Sequence, residues 1–219
     1  MRSSEANVPT IAPSRPAAEV PYIAKWSAEQ APRMRVVTKG RGIGYADERP
    51  YGRDTDGVLW TRAPSQPGKG RPEFGKVHAL RQRRAMLELL CQVCGRPADR
   101  TADGVLWLVS EDLHAMAPPP LDLTTTHPPL CVPCALRSVR ACPHLRSRYV
   151  ALRARTFAPA GVQGALHRPG HPSPTAVKAT GVAFGDPLIH WVRAGQLIMR
   201  LREFTVVDLA PEAARAAAG

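Results

Sequence analysis

CQVCGRPADRTADGVLW, residues 91–107, begins with two cysteines separated by two residues. That spacing lets a tight turn aim both sulfurs at one point, and Gly95, directly after the second cysteine, suits a turn that needs positive φ. A second pair of the same spacing, CVPC, follows at Cys131 and Cys134. Together Cys91, Cys94, Cys131 and Cys134 supply four thiolates for a tetrahedral Zn²⁺ site, whereas a redox CxxC has no use for a matching partner. Behind the first pair, Ala102-Asp103-Gly104 reads as a turn and Val105 to Val109 as a strand, so a β-hairpin follows the knuckle. The second pair opens CVPCALRSVRAC, where Leu136, Val139 and Arg140 suit a short helix with Cys134 in its first turn.

Knuckle, hairpin, then a helix bearing the second pair is the order of a treble-clef zinc finger. Over residues 88–145 the chain resembles zinc-containing HNH-type endonucleases, with LLCQVCG at one end and HPPLCVPCALRSVR at the other. The resemblance implies His114 as the general base that activates water, Asp112 as its neighbour, and Mg²⁺ as the ion that stabilises the phosphate charge. The chain also departs from the family pattern. Glu111-Asp112-Leu113-His114 replaces an adjacent Asp-His, no Asn lies between Cys94 and Cys131, and Ala135 stands where a His commonly follows the second pair. Cys142, His144 and His127 are the candidates for the missing ligand, although Cys142 lies about two helical turns beyond Cys134. Cys142 otherwise reads as a core or helix-end residue, and His144 as a cation at the helix C-terminus.

Upstream of the knuckle, KVHALRQRRAMLELL, residues 76–90, has the period of an amphipathic helix. Val77, Leu80, Leu87 and Leu90 form its apolar stripe, and Lys76, Arg81, Arg83 and Arg84 form a cationic face suited to a phosphate backbone, with His78 exposed. Between Met34 and Arg62 short β-prone runs alternate with Gly and Asp, which suggests a small sheet or hairpins. DGVLW occurs here at Asp56–Trp60 and again at Asp103–Trp107, read as a turn and a strand ending in a core Trp, with the two strands pairing in one sheet. GRGIG, Gly40–Gly44, lacks the Lys-Ser/Thr of a phosphate loop.

Downstream, RYVALRART and VQGALH read as strands, RPGHPSPT as a turn, and Asp186-Pro187 as a helix start. Leu188, Trp191, Val192, Leu197, Ile198 and Leu201 then suit a helix through about Glu203, closed by a strand at Thr205–Leu209. The chain is thus expected to be α+β. Residues 1–30 form a disordered tail with Tyr22 and Trp26 as docking points, 31–90 a basic β-prone segment with one helix, and 91–148 the treble clef flanked by short β-hairpins. Residues 149–209 form a β-rich segment with one helix, and 210–219 a loose tail.

The net charge of +12 is uneven: +7 falls in residues 31–90, against 0 in 1–30, +1 in 91–150 and +4 in 151–219. Of 30 basic residues 25 are Arg, and the composition resembles a high-GC actinobacterial chain, which explains Arg over Lys but not the excess of charge. No signal-peptide core and no membrane-length apolar run occurs, so a cytoplasmic protein with no membrane partner is expected. The expected function is a zinc-stabilised, non-catalytic binding protein whose basic surface meets nucleic acid. The alternatives are a divergent HNH-type nuclease and a regulatory module that binds an acidic protein partner.

Overall fold

The computed structural model describes residues 20–48, 53–115, 122–143, 145 and 148–218. It is α+β. The strands are β1 (Ala24–Trp26), β2 (Val36–Lys39), β3 (Gly42–Tyr45), β4 (Leu59–Trp60), β5 (Pro72–Val77), β6 (Arg100–Thr101), β7 (Gly104–Ser110), β8 (Asp122–Thr125), β9 (Tyr149–Arg168), β10 (Thr175–Ala183) and β11 (Val192–Val207). The helices are α1 (Ala79–Leu87), α2 (Glu111–Ala115), α3 (Val132–Ala141) and α4 (Leu209–Ala218), with one 3-10 turn at Pro187–Trp191. None is long and apolar enough to cross a membrane.

A long antiparallel ribbon of β9 and β11 forms the spine of a seven-stranded sheet. On the far edge of β9, β7 pairs with Tyr149–Ala154 and β10 with Gly161–Arg168, so one strand serves two neighbours along its length. On the far edge of β11, β4 pairs in parallel with Arg193 and Ala194, and β8 pairs with Met199–Arg202. The hairpin β6–β7 carries the expected turn, with Gly104 at φ 117 and its Cα so close to Ala154 O that a Cβ would lie 2.3 Å from it. Cysteine-bearing and C-terminal segments therefore share one sheet.

The helix expected through about Glu203 is instead the single 3-10 turn followed by β11, a correction. Its start was legible, because the Asp186 side chain accepts a hydrogen bond from Leu188 N. Its length was not. Val192, Ala194, Leu197, Met199, Leu201 and Phe204 are the buried positions. Their spacing of two slips to three at Gly195, an extra residue in the ladder, and again beside Glu203 at φ 50. An alternating strand with two such slips mimics a helical stripe.

The helix at residues 76–90 is also revised. Val77 belongs to β5, and α1 begins after His78, whose Nδ1 accepts from Arg81 N at 3.4 Å. His78 is buried, with Nε2 3.1 Å from Pro64 O, and not exposed as expected. The buried face is Ala79, Arg81, Gln82, Ala85 and Met86, while Leu80 and Leu87 are 58% and 54% exposed. Polar residues can replace an apolar stripe when their hydrogen bonds are satisfied. Gln82 shows how. Its amide donates to Thr126 O (2.8 Å) and Leu197 O (2.9 Å) and accepts from Leu197 N (2.8 Å), completing the edge of β11 between β4 and β8. A Gln82→Met variant leaves those backbone groups unpaired, so urea denaturation is expected to show a loss of about 1–3 kcal/mol.

Two described segments within the expected tails carry regular structure. Residues 1–19 of the N-terminal tail lie outside the described residues, but 20–30 form a docked arm in which β1 pairs with β5. The Glu29 carboxylate accepts from Trp26 N (2.8 Å), Gln66 N (2.8 Å) and the Arg81 guanidinium (2.5 and 2.8 Å). At the other end the alanine run forms α4, as its helix propensity favours once Leu209 has a core to enter. Arg153, buried in β9, donates to Asp99 and Glu212 at 2.5 Å each and to Gly104 O at 3.0 Å. That network ties α4 to the hairpin beside the cysteines.

Candidate metal centre

The four Sγ atoms of Cys91, Cys94, Cys131 and Cys134 lie within 4.8 Å of one another. Cys94 and Cys131 are 3.8 Å apart and Cys131 and Cys91 3.7 Å. Tetrahedral Zn²⁺ with Zn–S of about 2.3 Å requires sulfurs about 3.8 Å apart, so the cluster suits that ion. Among the described residues it is the only group able to hold a metal.

Local chain chemistry builds each half. In the knuckle, Gly95 N donates to Cys91 O (2.9 Å) and Cys91 N to Arg96 O (2.7 Å), with Gly95 at φ 69. The Tyr22 ring lies against Gly95, and a Cβ there would be 2.9 Å from Tyr22 Cδ2. Tyr22 N donates to Val93 O (2.8 Å), Ile23 N to Gln92 O (3.2 Å) and Gln92 N to Pro129 O (3.0 Å). The N-terminal arm and the segment before Cys131 therefore grip the knuckle from two sides. In the other half, Cys131 is the N-cap of α3 and Cys134 lies in its first turn, with Pro133 where a missing N–H costs nothing. Leu106, Leu108, Leu130, Val132, Ala135, Ala151 and Leu209 close an apolar cluster around the sulfurs.

Burial pushes the Cys91 thiol up to about 11 and also raises Cys134. Burial acts the same way on Cys94, but hydrogen bonds from the backbone N–H and guanidinium of Arg96 outweigh it and hold that thiol at about 7. On α3 the Arg137 guanidinium donates to Cys134 Sγ at 3.0 Å. Four thiolates around a dication leave two excess negative charges, and Arg96 and Arg137 answer them. Neither arginine was singled out from sequence. The signals were there: one directly follows the CxxCG knuckle, and the other is three residues after Cys134 on a helix, within reach of its sulfur.

The remaining candidates are dispersed. Cys142 caps the C-terminus of α3, its N–H donating to Ser138 O, and stands outside the cluster. His144 lies outside the described residues. His127 N–H donates to Thr125 Oγ1 at 3.0 Å. His114 is half-buried on α2, its ring edge-on to Phe204 with centroids 6.2 Å apart, and Asp112 is exposed beside it. Among the described residues, neither joins a group of metal-capable side chains.

The cationic face expected on α1 is broken up. Arg81 is buried against Glu29, so its guanidinium has no face toward a phosphate, which corrects its assignment as a surface contact. Arg83 stacks 4.4 Å over the Trp60 ring and pairs with Asp54 at 3.2 Å. Arg84 pairs with Glu88 and Lys76 with Glu73, each at 2.9 Å and with the cation exposed. Trp107 is a core residue, whereas Trp60 is half-buried with Nε1 donating to Asp54 Oδ2 at 2.6 Å. The two DGVLW strands share the main sheet but do not pair, because β11 and β9 stand between them.

No protein-family model, no curated protein and no solved structure matches this chain.

Proposed function

We propose that the protein is a zinc-stabilised binding protein with a treble-clef core whose basic surface takes single-stranded nucleic acid. The metal is structural in this reading, because four protein sulfurs complete a tetrahedron and leave no position for water or substrate.

The observation that carries the nucleic-acid part is the exposed face around β1 and β5. Phe74 is 59% exposed there and offers a bare π-face on which a base can stack. A hydrogen bond from Lys76 and the fields of Lys76, Lys25 and Arg71 hold the neighbouring Glu73 carboxyl below its ordinary range. Three cations thus act on one acid in the strand that carries the exposed ring. Lys76 and Arg84 remain usable, because exposed ion pairs are worth roughly 0–1 kcal/mol and yield to a phosphate.

Fluorescence anisotropy with a labelled single-stranded oligonucleotide tests the reading. Wild-type binding is expected to weaken steeply between 50 and 200 mM salt. Phe74→Ala is expected to lose about 1–3 kcal/mol with the salt slope unchanged, since stacking is not ionic. Binding indifferent to both salt and Phe74 overturns it. Leu80 and Leu87, exposed on one side of α1, favour a second reading in which an acidic protein docks on this surface. That reading takes first place if the wild-type protein ignores the oligonucleotide at low salt.

A further inference from the structure

A second basic feature lies away from the cysteines, at the tip of the β2–β3 hairpin. Lys39, Gly40, Arg41, Gly42, Arg53, Gly57 and His190 line a cavity of about 370 Å³. The hairpin is fixed in place: a Cβ on Gly42 would lie 2.2 Å from His190 O, so only glycine lets this strand lie against the 3-10 turn. The opposite wall is fixed too. Arg53 donates to Glu48 (2.7 Å), Gly57 O (2.9 Å) and Ile43 O (2.5 Å), so its charge is held at the rim with its donors engaged.

Lys39 reaches Glu48 at 3.5 Å but stays 55% exposed. Arg41 is different. It is exposed and has no ion pair or hydrogen bond among the described residues. Lys39, Arg41 and Arg53 place three cations on the lining, which among the described residues carries no carboxylate of its own; Glu48 pairs with two of them from outside it. Gly40 at φ 58 and Gly57 at φ 74 have nothing within 4 Å of where a Cβ would stand, so bare backbone borders the opening and an anion can approach closely.

We infer that this cavity is a phosphate site, with Arg41 as the forked donor and Lys39 as a point charge beside it. A guanidinium with free donors matches two phosphate oxygens at once, and clustered cations suit a dianionic phosphate better than a single carboxylate. The source of the phosphate rests on the nucleic-acid reading above; the site itself does not.

Isothermal titration of the full-length, zinc-loaded protein with inorganic pyrophosphate at low ionic strength tests the site. Wild type is expected to bind, Arg41→Ala to bind at least about tenfold more weakly, and Lys39→Gln to fall between them. Arg140→Ala, which removes an equal charge from α3, is expected to leave binding unchanged. No wild-type binding, or equal losses in Arg41→Ala and Arg140→Ala, overturns the site. Oligonucleotide binding measured on the same proteins separates the two claims. Oligonucleotide bound with pyrophosphate ignored sinks the phosphate site alone, and pyrophosphate bound with the oligonucleotide ignored sinks the nucleic-acid reading alone. Parallel losses of both ligands in Arg41→Ala identify the cavity as the grip on a nucleic-acid backbone.

Discussion

A Cys134→Ser variant, or wild type treated with a strong zinc chelator, is expected to lose its cooperative thermal transition. Structural zinc contributes on the order of 10 kcal/mol to small cysteine sites, comparable to the whole stability of a typical domain at about 5–15 kcal/mol. The expectation is severe here because the sulfurs are not at the periphery. Cys91 and Cys134 are buried inside the cluster formed by Leu106, Leu130, Val132 and Leu209, so the loss reaches β7, α3 and α4 together. Without a cation, burial keeps the Cys91 and Cys134 thiols protonated, and only weak S–H contacts join the two halves. Circular dichroism melts with and without chelator give the result. An unchanged transition contradicts a structural role for the site.

The second large effect is expected at Glu29. Arg81 is buried with it, so Glu29→Gln strands a guanidinium in the interior and is expected to cost about 3–5 kcal/mol. For a chain of this size that corresponds to a fall in Tm of roughly 6–20 °C. A double variant, Glu29→Leu with Arg81→Met, is expected to recover part of the loss, because no charge remains buried. Recovery stays incomplete, since Trp26 N and Gln66 N still lose their acceptor. Acid offers the same test without mutation. Burial pushes the Glu29 carboxyl up, but hydrogen bonds from Arg81, Trp26 and Gln66 outweigh it and bring it down to about 2 from 4.5. A depressed folded-state pKa means that the pair's contribution is present above pH 4.5 and is lost as the pH falls toward 2. Wild type is therefore expected to lose stability over that window and Glu29→Gln to be flatter across it; parallel profiles contradict the assignment.

The parts of the fold legible in the sequence were those fixed by local covalent constraint. CxxCG specifies a knuckle through sulfur spacing and a positive-φ glycine, Asp103-Gly104 specifies a turn, and Asp186-Pro187 marks the start of the 3-10 turn. The parts that misled depend on contacts across the chain. Leu80 and Leu87 read as a core stripe on α1, but the core side was taken by Arg81 and Gln82, whose partners Glu29 and Leu197 lie 52 and 115 residues away. The β11 segment read as a helix because the bulge at Gly195 and the positive φ of Glu203 shift its alternation. Residues 20–30 read as a tail because their order comes from Arg81 and the knuckle backbone. The four cysteines lie together as expected, in a cluster able to hold a metal ion, whereas the cationic face of α1 dissolved once each charge was seen beside its partner.

The central claim is that Cys91, Cys94, Cys131 and Cys134 hold one zinc ion that organises the chain. Elemental analysis of the purified full-length protein tests it most directly: about one zinc per chain in wild type and near none in Cys91→Ser/Cys134→Ser is the expected result. A folded wild-type protein that carries no zinc and takes up none from solution would contradict it.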